Sequence, residues 1–153
     1  MFGFLFVFTL MEPFRRVLAV TTITNSNFNS AISMCLGMNS TYGMCSSSEY
    51  GPMPDWDVSK VTNMYQAFYQ KSTFNGDLSK WNVSKVTNVE GMFHGASSFN
   101  QMIGGWDTSS VTTMSSMFFE ASKFNQPIGG WDVSSVSTMI VMFFYASSFR
   151  QDV

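Results

Sequence analysis

Few of the 153 residues in this chain have side chains suited to catalysis. His94 is the only histidine, so a Ser–His–acid arrangement would have to use it. His94 lies 25 residues after Tyr69 and 25 residues before Phe119. It thus stands at a recurring position that is otherwise aromatic. An aspartate also recurs with the same period, but its place beside a serine favours backbone capping over a paired catalytic carboxylate. The sequence therefore predicts no enzyme, no catalytic residue and no cofactor.

The recurring aromatic position is the best candidate for a contact surface. Its members are Tyr69, His94, Phe119 and Phe144. On a helical wheel this position lies about 140° from the centre of the local apolar stripe, so we predict an exposed aromatic row along one flank. Exposed contiguous aromatic side chains are typical of partner-binding surfaces, here for a protein or a glycan. The alternative is that these rings only pack between neighbouring segments.

The two cysteines, Cys35 and Cys45, lie close together in the sequence and precede the recurring segments. In a secreted protein such a pair predicts a disulfide, whereas in a cytosolic protein both would be small buried residues. No second cysteine pair and no histidine lies nearby in the sequence, so we predict no metal site. Two Asn-x-Ser/Thr sequons, at Asn39 and Asn82, add weak support for secretion.

Composition excludes two broad classes of protein. Eight Lys and Arg against ten Asp and Glu give a net charge of −2, and only 12% of residues are charged. This balance provides no clustered basic face, so we predict no nucleic-acid partner. A hydrophobic content of 45% with 16% aromatic residues argues against a long disordered tail.

A 25-residue repeat organises most of the chain. Its tryptophans are Trp56, Trp81, Trp106 and Trp131, each one period after the last. Numbering the places of a repeat from its tryptophan, all four copies also share serine at places 4 and 17, valine at place 6, and phenylalanine at places 13 and 19. We therefore divide the chain into an apolar N-terminal segment (1–24), a capping region (25–55) and four repeats (56–153), the last of which is incomplete and predicts a fragment of a longer repeat protein.

Within a repeat, the apolar spacing predicts one short helix and one short strand. Apolar residues at places 6, 9, 12, 13 and 16 step by three or four, as on a helix with one buried face. The serine at place 4, such as Ser109, suits a helix N-cap, and Gly95 suits a left-handed residue near a helix end. Apolar residues at places 19, 23, 1 and 3, such as Trp81 and Val83, predict an extended segment.

No single repeat can bury its own apolar side chains, so successive copies should stack. We predict an α/β fold, a right-handed solenoid similar to leucine-rich repeats, with one short parallel strand and one short helix per rung. Equal spacing would place tryptophan on tryptophan and phenylalanine on phenylalanine. A column of asparagines at place 20 should bond to backbone at the corners, and the serines at place 17 should likewise be structural. These asparagines are Asn75, Asn100 and Asn125.

Several stretches resemble a known family of repeats. WDVSSVSTM, VTTMSSMFFEASKFNQPIGGWDVSSV and ASSFNQ resemble BspA-type leucine-rich-repeat surface proteins, of the branch with lipoprotein repeats of roughly 25 residues. The resemblance covers 56–153, and Tyr50, Gly51 and Met53 hold the places of that family's segment before the first tryptophan. It implies an extracellular or surface-exposed module for adhesion or binding, without a catalytic residue. The alternatives are a structural spacer and a water-organising face built from the Thr and Ser column at place 7.

The two ends of the chain carry separate expectations. Residues 2–11, FGFLFVFTLM, are too short a run to cross a bilayer, which takes about 20 residues. This run is the core of a secretory signal, a mispredicted or truncated start, or an apolar helix that covers the first rung. At the other end, a last rung closing at Val153 would expose unpaired backbone, so we predict self-association through that open edge.

Overall fold

The computed structural model describes residues 21–153. This part of the chain contains one α-helix, α1 (Phe28–Met38), and one short 3-10 helix (Met53–Asp55). The remainder of 21–153 consists of turns, bends and irregular backbone. The three interpretations of the apolar run 2–11 lie outside the described residues. Among residues 21–153, no helix combines the length and the apolar character that crossing a membrane requires.

The α/β solenoid prediction is wrong. Residues 56–153 are all described, and none of them belongs to a helix or a strand. Parallel pairing between repeats is limited to isolated bridges at place 8, which join Asn63 to Asn88, Asn88 to Thr113, and Thr113 to Thr138. The rungs are therefore not a strand followed by a helix, and each repeat is a coil of turns.

Two left-handed residues in every repeat exclude the predicted helix. The residues at places 11 and 15 all have φ between 50° and 69°, whereas an α-helix needs φ near −60°. Gly95 is left-handed as expected, but six of these eight residues are not glycine, so their conformation has no signal in the residue type. These residues are Gln66, Gly91, Ser116 and Val141 at place 11, and Gln70, Gly95, Glu120 and Tyr145 at place 15.

Between places 9 and 16, backbone N–H groups alternate between two kinds of acceptor. At places 12, 14 and 16 the N–H donates to the carbonyl three residues earlier, as from Phe119 to Ser116 at 3.2 Å. At places 9, 11, 13 and 15 it donates to a carbonyl of the following repeat, as from Phe118 to Met142 at 2.9 Å. This alternation recurs from the first repeat to the second, the second to the third and the third to the fourth, so each repeat is hydrogen-bonded to the next.

Equivalent aromatic side chains lie on one another in successive repeats, as predicted. The rings of Trp106 and Trp131 are stacked with centroids 6.4 Å apart, and Phe93 stacks on Phe118 at 5.6 Å. Each indole also binds backbone, since Trp106 Nε1 donates to the Leu78 carbonyl, 28 positions earlier in the chain, at 3.0 Å. The stacking prediction is confirmed for both phenylalanine columns and for two tryptophan pairs, Trp56–Trp81 and Trp106–Trp131, although the backbone that carries the rings is not the one expected.

The polar columns are structural, as predicted. The backbone N–H groups of Asn100, Asn125 and Arg150 donate to the Oδ1 atoms of Asn75, Asn100 and Asn125, each at 2.9 Å. At place 17, each of the last three serine hydroxyls donates to the preceding serine carbonyl at 3.2 to 3.4 Å. At place 7 the hydroxyls of Thr87, Thr112 and Ser137 do the same at 2.9 to 3.2 Å.

The serine at place 4 does not cap a helix. Its backbone N–H donates to the Oδ1 of the residue at place 2, for example from Ser109 to Asp107 at 3.1 Å. Asn82 accepts the N–H of Ser84 in the same way at 3.2 Å, so the turn role expected for Asn82 is confirmed. The N-cap prediction is wrong because the acceptor is the carboxylate or amide, and the serine is the donor.

The capping region covers the N-terminal face of the first repeat. Asn25 Oδ1 accepts the backbone N–H of Thr62 at 2.9 Å, and Asn25 Nδ2 donates to Thr62 Oγ1 at 2.8 Å. From α1, Phe28 packs edge-on against Trp81 with centroids 5.7 Å apart. Cys35 in α1 and Cys45 are joined by a disulfide, and both are buried. The stack therefore begins on a cross-linked, hydrogen-bonded cap.

Candidate binding surface

The four residues of the predicted aromatic row form a continuous line of ring contacts. The rings of Tyr69 and His94 have centroids 4.7 Å apart, those of His94 and Phe119 4.5 Å, and those of Phe119 and Phe144 5.4 Å. The last two pairs are stacked, with interplanar angles of 17° and 29°. The structure thus joins one residue from each repeat into a single row.

This row lies at the surface. Phe144 is 48% exposed and Tyr69 is 41% exposed, whereas His94 and Phe119 between them are half-buried by their neighbours in the row. The phenylalanine one position earlier in each of the first three repeats is fully buried, for example Phe118. The buried column at place 13 and the surface column at place 14 are therefore formed by consecutive residues.

The backbone of three row residues, His94, Phe119 and Phe144, is hydrogen-bonded on both sides. The N–H of Phe119 donates to Ser116 within its own turn at 3.2 Å, while the Phe119 carbonyl accepts the N–H of Gly95 from the preceding repeat at 2.8 Å. The His94 carbonyl likewise accepts the N–H of Gln70 at 2.7 Å. Because these bonds set the distance between repeats, the spacing of the rings is imposed by the backbone and does not depend on the rings alone.

One further aromatic residue extends the row at its C-terminal end. Tyr145 is 66% exposed and meets Phe144 edge-on at 4.2 Å and Phe119 at 6.2 Å. It occupies place 15, where the other repeats have no aromatic side chain, so repeat alignment alone gives no reason to include it. Its left-handed φ of 59° directs it there. Tyr65 is 42% exposed and makes no ring contact with the row within residues 21–153.

A second surface column consists of the acidic residues at place 2. The hydroxyl of Ser109, at 2.6 Å from Asp107 Oδ1, and then its backbone N–H lower the pKa of the Asp107 carboxyl below its ordinary value of 3.8. Hydrogen bonds that favour the charged form have this sign. Serines two residues on lower the pKa of two equivalent carboxyls in the same way, those of Asp57 and Asp132. These carboxylates accept hydrogen bonds within their own turns.

The described residues offer no arrangement for metal chemistry. Among residues 21–153, no three His, Cys, Asp or Glu side chains lie close enough together to hold a metal ion. The His94 ring contacts the Tyr69 ring at an interplanar angle of 41° and is stacked on the Phe119 ring.

One known protein family matches most of the chain, including all four repeats. The model of the family described as "Mycoplasma protein of unknown function, DUF285" matches residues 36–153. This match covers well over half of the chain. The chain belongs to the DUF285 family. No curated protein matches the chain, and neither does any solved structure.

The DUF285 match begins inside α1 and takes in residues 36–55 of the capping region, followed by all four repeats. Cys45 and the whole aromatic row fall within the match. The other disulfide cysteine, Cys35, directly precedes its first residue. Sequence reasoning found the four residues of the row from their common place in the DUF285 repeat. The ring contacts of Tyr145 with the row depend on the left-handed backbone at place 15, which the sequence does not show.

Proposed function

We propose that this chain is a non-enzymatic binding module that acts outside the cell or at its surface, and that it attaches to a protein or a glycan through the aromatic row. The row is defined here as Tyr69, His94, Phe119 and Phe144. The observation that carries the proposal is the unbroken line of ring contacts, at 4.5 to 5.4 Å, on the surface of the stack.

The physical support comes from rigidity and desolvation. Aromatic side chains provide a large contact area with few rotatable bonds, so little conformational entropy is lost when a partner binds them. In the row, ring contacts restrict the side chains, and backbone hydrogen bonds on both sides fix His94, Phe119 and Phe144. A partner that covers Phe144 or Tyr69 removes apolar surface from water without having to order the surface first.

Three observations support a location outside the cell. The disulfide between Cys35 and Cys45 is the kind of bond that persists in oxidising compartments. The sequons at Asn39 and Asn82 are compatible with secretion. The resemblance to BspA-type surface proteins implies the same setting and the same adhesive task.

The test changes residues at exposed positions, so that an effect on binding can be distinguished from an effect on folding. Single Phe144→Ala and Tyr69→Ala variants remove rings that are 48% and 41% exposed. Met102→Ala is the matched control, because Met102 is 68% exposed and lies outside the row. The probe is the fluorescently labelled chain, whose attachment to cultured epithelial cells is measured before and after treatment of the cells with protease or with glycosidases.

We expect each row variant to reduce attachment about tenfold or more, as for a central aromatic contact, with melting temperature within a few degrees of the parent. Met102→Ala should attach normally. Loss after protease treatment identifies a protein ligand, and loss after glycosidase treatment identifies a glycan. If the labelled chain attaches equally well with and without the rings, the binding proposal is wrong and the alternative, a structural spacer, is favoured.

A further inference from the structure

A polar hollow of about 310 Å³ opens where the capping region meets the first repeat. One wall is formed by the second half of α1 and the turn after it, and the other by places 15 to 18 of the first repeat. This volume lies at the lower end of the range for small-molecule sites, about 300–1,000 Å³. The polar residues that line the hollow are Ser33, Ser40, Gln70, Lys71, Ser72 and Thr73.

In later repeats, two donors at the corresponding places converge on one oxygen atom. Ser97 Oγ and the backbone N–H of Ser98 both donate to the Ser72 carbonyl, at 3.2 and 3.1 Å. The fourth repeat makes the same pair of bonds to the Ser122 carbonyl, at 3.4 and 3.2 Å. A hydroxyl at place 17 and an N–H at place 18 therefore form a two-donor cradle for an oxygen on the N-terminal side of the repeat.

The first repeat has the same two donors, and they face the hollow instead of a preceding repeat. They are the Ser72 hydroxyl and the Thr73 N–H, and neither donates to an acceptor within residues 21–153. The turn is closed as in the second repeat, since the Phe74 N–H donates to the Lys71 carbonyl at 3.0 Å. The Ser40 carbonyl of the capping region accepts from the Thr73 hydroxyl, at 3.5 Å. The cradle can thus accept an oxygen atom of a ligand.

A lysine places a positive charge beside this cradle. At place 16 the other three repeats have a buried alanine, whereas Lys71 of the first repeat is exposed. Lys71 forms no ion pair with a carboxylate of the described residues, and α1 on the opposite wall contains no charged residue. An ammonium group beside two hydrogen-bond donors suits an oxyanion, because hydrogen bonds to a charged oxygen are stronger than those to a neutral one.

The rest of the lining suits the hydroxyl groups of a sugar. The hydroxyls of Ser33 and Ser40 and the carboxamide of Gln70 can each donate and accept a hydrogen bond, as a sugar hydroxyl does. The Gln70 side chain lies against Gly95, where an added Cβ would come within 2.8 Å of the amide oxygen. This contact holds the carboxamide at the edge of the hollow.

We propose that the hollow is a binding site for a sugar that carries a carboxylate, of the uronic acid type. One carboxylate oxygen accepts from the Ser72 hydroxyl and the Thr73 N–H, as a carbonyl of the preceding repeat does elsewhere in the stack. Lys71 balances the charge, and the sugar hydroxyls meet the hydroxyls and the carboxamide of the other walls. The proposal goes beyond the function proposed for the aromatic row, because no residue of the row lines the hollow.

The test titrates the isotope-labelled full chain with glucuronate and follows the amide signals by NMR. Glucose, which lacks the carboxylate, and acetate, which lacks the sugar, are the matched ligands. The site variants are Lys71→Met and Ser72→Ala, and Ser72→Ala keeps the carbonyl that accepts from the second repeat. The control is Lys123→Met, which removes an exposed lysine outside the hollow.

We expect saturable shifts at the amides of Lys71, Ser72 and Thr73, with a dissociation constant of about a millimolar, as for a ligand of this size. Lys71→Met should weaken glucuronate binding about threefold to fivefold, the effect of an exposed charge pair. Ser72→Ala should weaken it about tenfold, the effect of a hydrogen bond to a charged group. Lys123→Met should leave it unchanged, and glucose and acetate should each bind at least about fivefold more weakly than glucuronate.

A titration with glucuronate that shifts none of the amides of 71–73 would overturn the proposal. So would binding that Lys71→Met and Ser72→Ala leave intact, or acetate that binds as tightly as glucuronate, since the sugar would then contribute nothing. A glutamate-containing tetrapeptide that binds more tightly than glucuronate at the same amides would show instead that the carboxylate belongs to a peptide.

Discussion

The backbone N–H of Glu120 donates to the carbonyl of Phe144, in the following repeat, at 2.8 Å. Glu120 reaches this acceptor with a left-handed φ of 56°, a conformation that costs an L-residue roughly 1–2 kcal/mol. The same bond runs from Gln70 to His94 and from Gly95 to Phe119. The hydrogen bond to the next repeat therefore holds a residue in a conformation that its own side chain disfavours.

Replacing Glu120 with glycine tests this relationship. Glycine adopts positive φ without steric cost, and its greater freedom in the unfolded chain offsets part of that gain. We expect Glu120→Gly to leave the free energy of unfolding unchanged or to raise it by up to about 1 kcal/mol. Lys123→Gly, at a position without positive φ, should lower it by about 0.5–1 kcal/mol. Urea unfolding followed by tryptophan fluorescence measures both. A helix through Glu120 would give the opposite result, a loss of about 1 kcal/mol for Glu120→Gly.

The phenylalanine at place 13 is expected to carry much of the stability. Phe118 is fully buried and stacks on Phe93 at 5.6 Å and on Phe124 at 4.0 Å. Phe118→Ala should therefore lower the free energy of unfolding by about 3–5 kcal/mol, through lost burial and the cavity left behind. Phe144→Ala, at an exposed ring, should cost much less. Equal losses for the two variants in thermal or urea unfolding would show that the core does not follow the place-13 column.

Stability should fall at low pH through the carboxylates at place 2. The Ser109 hydroxyl and N–H lower the folded-state pKa of Asp107 below 3.8, so the charged form is favoured by folding. Its contribution is complete above the unfolded pKa and is lost as the pH falls through the lower, folded pKa. We expect the urea midpoint to decrease between about pH 4 and pH 2.

Asn82 provides the control for that experiment. It accepts the Ser84 N–H at 3.2 Å with an amide that does not titrate. Asp107→Asn should therefore keep the turn at neutral pH and remove part of the acid dependence, whereas Asp107→Ala should lose the turn at every pH. An acid transition as large in Asp107→Asn as in the parent would exclude Asp107 as a source of the pH dependence.

The disulfide should stabilise the cap on which the stack begins. Cys35 and Cys45 are separated by 10 positions, and closing a loop of this size contributes about 2–3 kcal/mol in the chain-entropy model. We expect the Cys35→Ala/Cys45→Ala double variant to unfold with about that loss. Reduction of the parent chain with dithiothreitol should reproduce it. If neither treatment changes the melting temperature, the cap does not limit the stability of the stack.

Side-chain columns could be predicted from the sequence because burial follows residue type. Trp106, Val111 and Phe118 are buried, and their residue types recur at fixed places in every copy. The amide column followed for the same reason, since Asn100 and Asn125 hold the same place in successive copies and can meet only if copies stack. The membership of the aromatic row followed from its common place 14 in the repeat, but its exposure was predicted from a helical wheel, and residues 56–153 form no helix.

The backbone conformation could not be predicted in this way. An apolar spacing of three or four is shared by a helix and by successive turns that close every three residues, so the stripe around Met114 and Phe118 fits both. The residues whose conformation excludes a helix, such as Ser116 and Glu120, have no side-chain feature that predicts a positive φ. Their conformation is stabilised by carbonyls of the following repeat, which an isolated repeat does not possess.

The sequence by itself determined the repeat period and the identity of the stacked columns, because these depend on side-chain type and spacing. Only the tertiary structure decided that each repeat is a coil of turns and that the aromatic row lies at the surface. The reason is that the left-handed residues are held by backbone hydrogen bonds between repeats, which exist only once one repeat lies on another.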